Sequence, residues 1–92
     1  GMKLGVVTGQ IVATRKDEYL TGMKLMITQP ISSRGKDIGE ELIAVDTVGA
    51  GVGETVLYAC GSVASRAMRN TEAPVDAAIV AIVDRIDCYE TQ

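Results

Sequence analysis

The sequence predicts one small all-β domain. Five segments rich in Val, Ile and Thr recur along the chain, and turn-forming Gly, Pro, Ser and Asp residues separate them. A length of 92 residues leaves room for a single core. We assign the domain to residues 2–92, because Gly1 before Met2 is typical of an expression-tag remnant. A chain this short buries only about 60 to 65 % of its unfolded surface, so we expect association with other copies to stabilise it.

The first two strands are predicted at residues 3–14 and 23–29. Gly5 and Gly9 interrupt the first, which favours a bulge or a sharp bend. In the second, apolar and polar positions alternate, the apolar ones being Met23, Leu25 and Ile27 and the polar ones Lys24, Thr28 and Gln29. Met26 does not fit this alternation. The segment is still best interpreted as a strand.

Three more strands and one short helix complete the prediction. Pro30 ends the second strand, and the polar residues 32–37 predict an exposed loop, the most mobile part of the chain. The further strands are predicted at residues 41–48, 54–60 and 77–87. A helix is predicted at residues 63–69, with Ser62 as its N-cap and Asn70 at its end. Five strands with one helix before the last describe a small, partly open OB-like barrel.

Charge and composition limit the classes of binding partner that we expect for this chain. The net charge of -3 disfavours binding to nucleic acid, and the absence of Phe and Trp removes most platforms on which bases stack. The longest apolar run, residues 77–83, is too short to span a bilayer, and no segment has the pattern of a secretion signal. We therefore expect a cytoplasmic protein that binds neither nucleic acid nor membrane.

The sequence offers no persuasive catalytic group. Histidine is absent, so the commonest general base and metal ligand is missing. Neighbouring acids such as Glu40 and Glu41 would point to opposite faces of a strand and could not share a proton. Cys60 and Cys88 are expected to be two buried thiols, since they have no base beside them and make a poor zinc site. We predict no catalytic residue, no cofactor and no metal site.

The sharpest local feature is a glycine-rich segment between two predicted strands. It consists of Gly49, Ala50, Gly51, Val52 and Gly53. Such a loop can present amides to a phosphate, which leaves a small nucleotide-binding enzyme as one alternative. Fingerprints of that kind need a helix directly behind the glycines or a following Lys-Ser or Lys-Thr pair, and neither is present. A tight turn close to another backbone is the favoured interpretation. An OB-type module for single-stranded nucleic acid is the other alternative.

The order of these segments resembles a known family, the EutN/CcmL type of pentameric shell proteins. The resemblance covers nearly the whole chain, from residues 2–14 and 20–26 onward. Its most specific part is AVDTVGAGVGETVL at residues 44–57, similar to a family signature A-V-D-x-V-G-A-G-x-G-E-x-V-L. PVDAAIVAIVD at residues 74–84 is similar to the family's closing segment. Two departures are an apparent extra residue within residues 61–66, which displaces an arginine, and Ala81 where glycine is usual.

This resemblance implies an OB-like barrel that assembles as a cyclic homopentamer. Such pentamers sit at the fivefold vertices of a bacterial microcompartment, within a cytoplasmic shell built mainly from hexameric shell proteins. The implied role is structural rather than enzymatic. Five copies of the segment from Gly49 to Gly53 could then pack near the symmetry axis, so we predict that this segment is a subunit-contact loop beside an axial pore.

Overall fold

Five β-strands close into a barrel in the computed structural model, which describes residues 1–14, 18, 22–61 and 76–89. The strands are β1 (Met2–Ile11), β2 (Lys24–Pro30), β3 (Leu42–Asp46), β4 (Thr55–Cys60) and β5 (Ala77–Ile82). All five predicted strands are present, with ends that differ from the prediction by one to five residues; β2 includes Pro30, which was predicted to end it. The last differs most, because regular pairing stops at Ile82 rather than at residue 87. The helix predicted at residues 63–69 and its caps Ser62 and Asn70 lie outside the described residues.

The strand order around the barrel is β1-β2-β3-β5-β4, with β4 returning to β1. Four of the pairings are antiparallel, and β3 with β5 is parallel. The parallel seam contains two residue pairs, Val45 with Ala78 and Asp46 with Ile79. The predicted small β-barrel is therefore confirmed, but it is closed where the sequence suggested a partly open one. This short seam completes the ring of strands.

Strand β1 bends so that it serves two sides of the barrel. Its first half pairs with β4 and its second half with β2, and the register shifts between Val7 and Gly9. The predicted bulge is thus at Thr8. Gly5 lies where the strand crosses the interior, and a Cβ atom there would be 2.5 Å from Cγ2 of Thr28. Only glycine fits this position without displacing a core side chain.

The barrel interior holds one apolar cluster contributed by all five strands. Its buried members are Val7, Met26, Ala44, Ala50, Val56, Tyr58, Ala77 and Ile79. In β2 the inward positions are Met26 and Thr28, both buried, while Leu25 and Ile27 are half-buried on the other face. The alternating apolar residues of the sequence therefore do not mark the buried face of β2. Met26 belongs to the core, and the residues taken for the apolar face point outward.

The segment predicted as an exposed loop follows β2. Residues 33–40 are exposed, so the predicted exposure is confirmed. The segment is also hydrogen-bonded to itself: Ser32 N donates to the Lys36 carbonyl at 2.8 Å, and Ser32 Oγ accepts from the backbone N–H groups of Arg34 and Lys36 at 3.2 Å each. The high mobility expected of this loop remains a prediction. Among the described residues, no helix is long and apolar enough to cross a membrane.

Candidate functional site

The glycine-rich segment forms the turn between β3 and β4. Gly49 and Gly53 have φ angles of 82° and 93°, in the left-handed region that side chains disfavour. Gly51 has no such angle. Ala50 points into the core, whereas Val52 is 62 % exposed. The five residues predicted as one contact loop therefore differ in role: Gly49 and Gly53 supply left-handed backbone angles, Ala50 belongs to the core, Gly51 is half-buried and Val52 is exposed.

One end of this turn is anchored by the side chain of Asp46. Its Oδ1 accepts hydrogen bonds from the backbone N–H groups of Val48 at 2.9 Å and Gly49 at 3.1 Å. Its Oδ2 is buried and lies 3.4 Å from Lys24 Nζ. The same ammonium donates to the carbonyl of Ala50 at 3.1 Å. A buried carboxylate is stable only with such partners, so Asp46 and Lys24 together fix the turn to β2.

The other end of the turn is anchored by β1 and by Glu54. Gly53 N donates to the Val7 carbonyl at 2.7 Å, and Val7 N donates to the Glu54 carbonyl at 3.0 Å. Glu54 Oε1 accepts a hydrogen bond of 2.6 Å from Gly51 N. A Cβ atom on Gly51 would lie 3.3 Å from that same oxygen. The turn is thus held at both ends by bonds within one chain.

These contacts bear on the nucleotide-binding alternative. A phosphate loop needs backbone N–H groups that are free to donate to the ligand. Here Val48, Gly49, Gly51 and Gly53 each donate within the chain. Two of the acceptors are carboxylate oxygens, which would repel a phosphate. The geometry therefore favours a structural turn, as the sequence did.

The anchoring residues Asp46, Lys24 and Glu54 were not among the predicted site residues. The signal for Asp46 was available, because an Asp directly before a glycine-containing turn often bonds to the backbone two residues on. Lys24 and Glu54 gave no local signal. Lys24 lies 22 positions before Asp46, and only the pairing of β2 with β3 brings the two together.

The two cysteines and the core tyrosine are titratable side chains that lie outside the turn. Cys60 is half-buried and Cys88 is exposed, so the expectation of two buried thiols is wrong for Cys88. Residues 84–89 follow β5 without regular strand pairing, and the Cys88 thiol is 3.5 Å from the Ser33 carbonyl. Burial, together with the nearby Cys60, raises the pKa of Tyr58. Within the described ranges, no group of three or more Cys, Asp or Glu side chains could hold a metal ion.

Comparison with known proteins assigns the family. A sequence profile described as "Ethanolamine utilisation protein EutN/carboxysome" matches residues 2–84. The chain belongs to the EutN/CcmL family. Bacterial microcompartment shell vertex protein EutN of Salmonella typhimurium is 44 % identical over 85 residues, which span 92 % of this chain and 86 % of the relative. Carboxysome shell vertex protein CcmL of Thermosynechococcus vestitus is 40 % identical over 85 residues, again 92 % and 86 %.

Solved EutN/CcmL structures share the barrel. The structure named "Ethanolamine utilization protein, EutN" matches with a TM-score of 0.89 at 41 % identity, covering 94 % of this chain and 90 % of that one. The GrpN pentameric microcompartment shell protein from Rhodospirillum rubrum matches with a TM-score of 0.84 at 39 % identity, covering 95 % and 99 %. The curated relatives are named as shell vertex proteins, so this is a family of structural proteins rather than enzymes. The resemblance seen in the sequence is confirmed.

Proposed function

We propose that this chain assembles into a closed ring of five copies that caps a vertex of a bacterial microcompartment shell. The observation that carries the proposal is the match to the pentameric GrpN shell protein, which extends over 95 % of this chain and 99 % of that one. The small size of the domain agrees with it, since a core of this size gives limited stability alone. Association with identical copies would add further stability to the folded subunit.

The proposed action is geometric. A flat sheet of hexagonal tiles cannot close on itself, whereas fivefold units at its corners introduce the curvature that closes a polyhedron. We infer that the neighbours of the ring are hexameric shell proteins and that the ring is located in the shell. The charge and the occupied amides of the Gly49–Gly53 turn support a structural role over nucleic-acid or nucleotide binding.

Closure of a shell is the direct test of this function. The chain is co-expressed with a hexameric shell protein, and the particles are imaged by electron microscopy with and without it. We expect closed polyhedra when it is present and open sheets or tubes when it is omitted. Closed polyhedra of the same size in both samples would contradict the proposal.

We further propose that the turn at Gly51 and Val52 lies at a contact between copies, beside a narrow axial opening. Gly51 is a candidate for such a contact because its backbone angle does not require glycine, and the nearest atom to an added Cβ within the chain is the carboxylate oxygen of the flexible Glu54 side chain at 3.3 Å. Val52 is exposed although the rest of the turn is held within the chain. The five residues from Gly49 to Gly53 would then approach their symmetry mates.

Replacing Gly51 tests this placement. We expect Gly51→Val to raise the concentration at which rings dissociate by about tenfold or more, roughly 1.4 kcal/mol, while the circular dichroism of the strands is unchanged. Gly53→Val is the matched control, because its φ of 93° makes any side chain strained by about 1 to 2 kcal/mol within one subunit. It should lower subunit stability instead. Unchanged rings in Gly51→Val, measured by analytical ultracentrifugation, would reject the contact.

A further inference from the structure

A groove lies at the end of the barrel where β1 and β3 begin and towards which β2 and β4 run. Antiparallel pairing brings these strand ends together. The groove has a volume of about 710 Å³, and its wall includes residues 2–4, 30–31, 42 and 57–58. Sites for small molecules have volumes of about 300 to 1,000 Å³ and often lie in the mouths of β-barrels. We call this feature the barrel-mouth groove.

Apolar side chains form most of the wall of the barrel-mouth groove. Leu42 packs against the core, Ile31 is buried, and Ile38 is 52 % exposed. Among the described residues that line the groove, Lys3 is the only charged one and Tyr58 the only one with a side-chain hydroxyl. An apolar wall with a few placed polar groups is typical of small-molecule sites. The groove therefore suits a ligand that has an apolar body and one polar end.

The two polar side chains of the groove lie close together. Lys3 and Tyr58 are direct partners in the pairing of β1 with β4. Side chains at such opposed positions leave the sheet on the same face, with Cβ atoms about 4.5 to 5.5 Å apart. A Cβ atom on Gly5 would be 3.1 Å from Cε1 of Tyr58, so the glycine leaves room for the tyrosine ring there. The ammonium and the phenol hydroxyl can therefore contact one bound group.

Tyr58 is also unusual because it is buried without a polar partner. It is only 1 % exposed, and none of the residues that the structure describes forms a hydrogen bond with its hydroxyl. Buried tyrosine hydroxyls usually have such a partner. The ammonium of Lys3 likewise forms no ion pair or hydrogen bond within the described part of the chain. Two hydrogen-bond donors thus line the groove, and neither is used there.

A carboxylate matches these two donors. Its two oxygens only accept hydrogen bonds, and they can accept one from the ammonium and one from the phenol. Its single negative charge is balanced by Lys3, whereas a phosphate with a charge near -2 would leave one charge unpaired in an apolar wall. Burial, and after it the nearby Cys60, raises the pKa of Tyr58, so the hydroxyl keeps its proton at neutral pH.

We propose that the barrel-mouth groove binds an amphiphilic monocarboxylate, with the carboxylate between Lys3 and Tyr58. The apolar body of the ligand lies against Ile31, Ile38 and Leu42. The inference goes beyond the proposed function and does not rest on it, because a single chain supplies every one of these side chains.

Three probes with the same tail test the class of ligand. Octanoate, 1-octanol and octylammonium are titrated calorimetrically at pH 7 into the unaltered chain in its native assembled state. We expect one octanoate per chain, bound at least tenfold more tightly than either other probe. Equal affinities for octanoate and 1-octanol would mean apolar adsorption only and would overturn the inference. Absence of octanoate binding, as when a neighbouring copy already covers the groove, would overturn it as well.

Changing the charge at Lys3 tests the carboxylate site. Lys3→Met removes the ammonium but keeps an apolar stem, so the affinity for octanoate should fall at least tenfold while that for 1-octanol is unchanged. Lys3→Glu should reverse the order of the probes, with octylammonium bound most tightly. Lys36→Met is the matched control, since Lys36 is exposed in the loop after β2 and does not line the groove. Equal losses in Lys3→Met and Lys36→Met would overturn the assignment.

The hydroxyl and the apolar wall are tested separately. Tyr58→Phe should weaken octanoate several-fold and leave 1-octanol unchanged. Ile38→Asn should weaken both probes, whereas Val12→Asn should weaken neither, because Val12 is 87 % exposed and outside the groove. Unchanged octanoate binding in Ile38→Asn would overturn the inference. Should Tyr58→Phe fail to fold, the variants at Lys3 and Ile38 decide, since both positions are exposed.

The mass of the assembly keeps this inference separate from the proposed function. A chain that is not pentameric but binds octanoate through Lys3 would contradict the function and support the site. A pentamer that binds no octanoate would leave the function standing and reject the site.

Discussion

The inner and outer faces of the barrel carry similarly apolar residues, but they differ in how far the chain buries them. Inward positions such as Val56 and Ile79 are fully buried by the chain's own strands. Outward positions such as Ile43 and Leu57 are just as apolar, yet the described part of the chain leaves them exposed or half-buried. Alternate residues of the same strands therefore serve two purposes. The inner set determines whether one subunit folds, and we propose that the outer set determines whether subunits associate.

The largest expected effect of a single change is at Gly5 on the inner side. In Gly5→Ala the new methyl group would be 2.5 Å from Thr28 Cγ2 and 3.1 Å from Tyr58 Cε1. We expect a loss of about 3 kcal/mol in the free energy of unfolding, because the packed core must shift to admit it. Urea denaturation at one fixed protein concentration measures this.

Gly9→Ala on the same strand is the matched outer change. Its methyl group would meet the flexible end of Ile27 at 3.2 Å. We expect a loss below about 1 kcal/mol in subunit stability. Equal losses at Gly5 and Gly9 would contradict the distinction between the two faces.

A smaller effect is expected at Thr28, where a substitution should increase the free energy of unfolding. Its hydroxyl oxygen is buried in the barrel, and none of the residues that the structure describes forms a hydrogen bond with it. Since a buried unpaired polar group costs about 1 to 3 kcal/mol, we expect Thr28→Val to stabilise the subunit by about 1 kcal/mol. Thr8→Val is the control, because the exposed Thr8 hydroxyl already donates to Glu41 Oε2 at 2.7 Å. A gain at Thr8, or a loss at Thr28, measured by thermal unfolding would contradict this account of the core.

The smallest expected effect is a pH dependence from Tyr58. Burial first, and the nearby Cys60 second, raise the pKa of its phenol above the unfolded value near 10. The unfolded chain therefore releases this proton at a lower pH than the folded chain. The stabilising contribution is complete below about pH 10 and is lost as the pH rises through the folded pKa.

Two tyrosine variants isolate this contribution. The melting temperature should fall as the pH rises above about 10, and the fall should be smaller in Tyr58→Phe. The exposed Tyr89 offers the control, since Tyr89→Phe should retain the full fall of the unaltered chain. An identical fall in Tyr58→Phe would show that Tyr58 is not responsible.

The sequence predicted the strands better than their faces. Runs rich in β-branched residues located all five strands, because that signal is local. In β2, however, Leu25, Met26 and Ile27 are consecutive apolar residues, and periodicity alone could not show which of them points inward. The buried hydroxyl of Thr28 misled the assignment further. When both faces of a strand are apolar, only the pairing with other strands decides the matter.

The candidate turn was likewise only partly predictable. The glycine spacing indicated a turn, and the structure shows that Gly49 and Gly53 require their left-handed angles while Gly51 does not. The anchor between Lys24 and Asp46 depends on contact between β2 and β3, which no local pattern reveals.

The mass of the native assembly across a dilution series tests the central claim most directly. We expect one dominant species of five chains, which for a 9.7 kDa chain is about 48 kDa, with no stable intermediate as it dissociates. A folded monomer of 9.7 kDa that persists at every concentration, or a stable dimer, would contradict it.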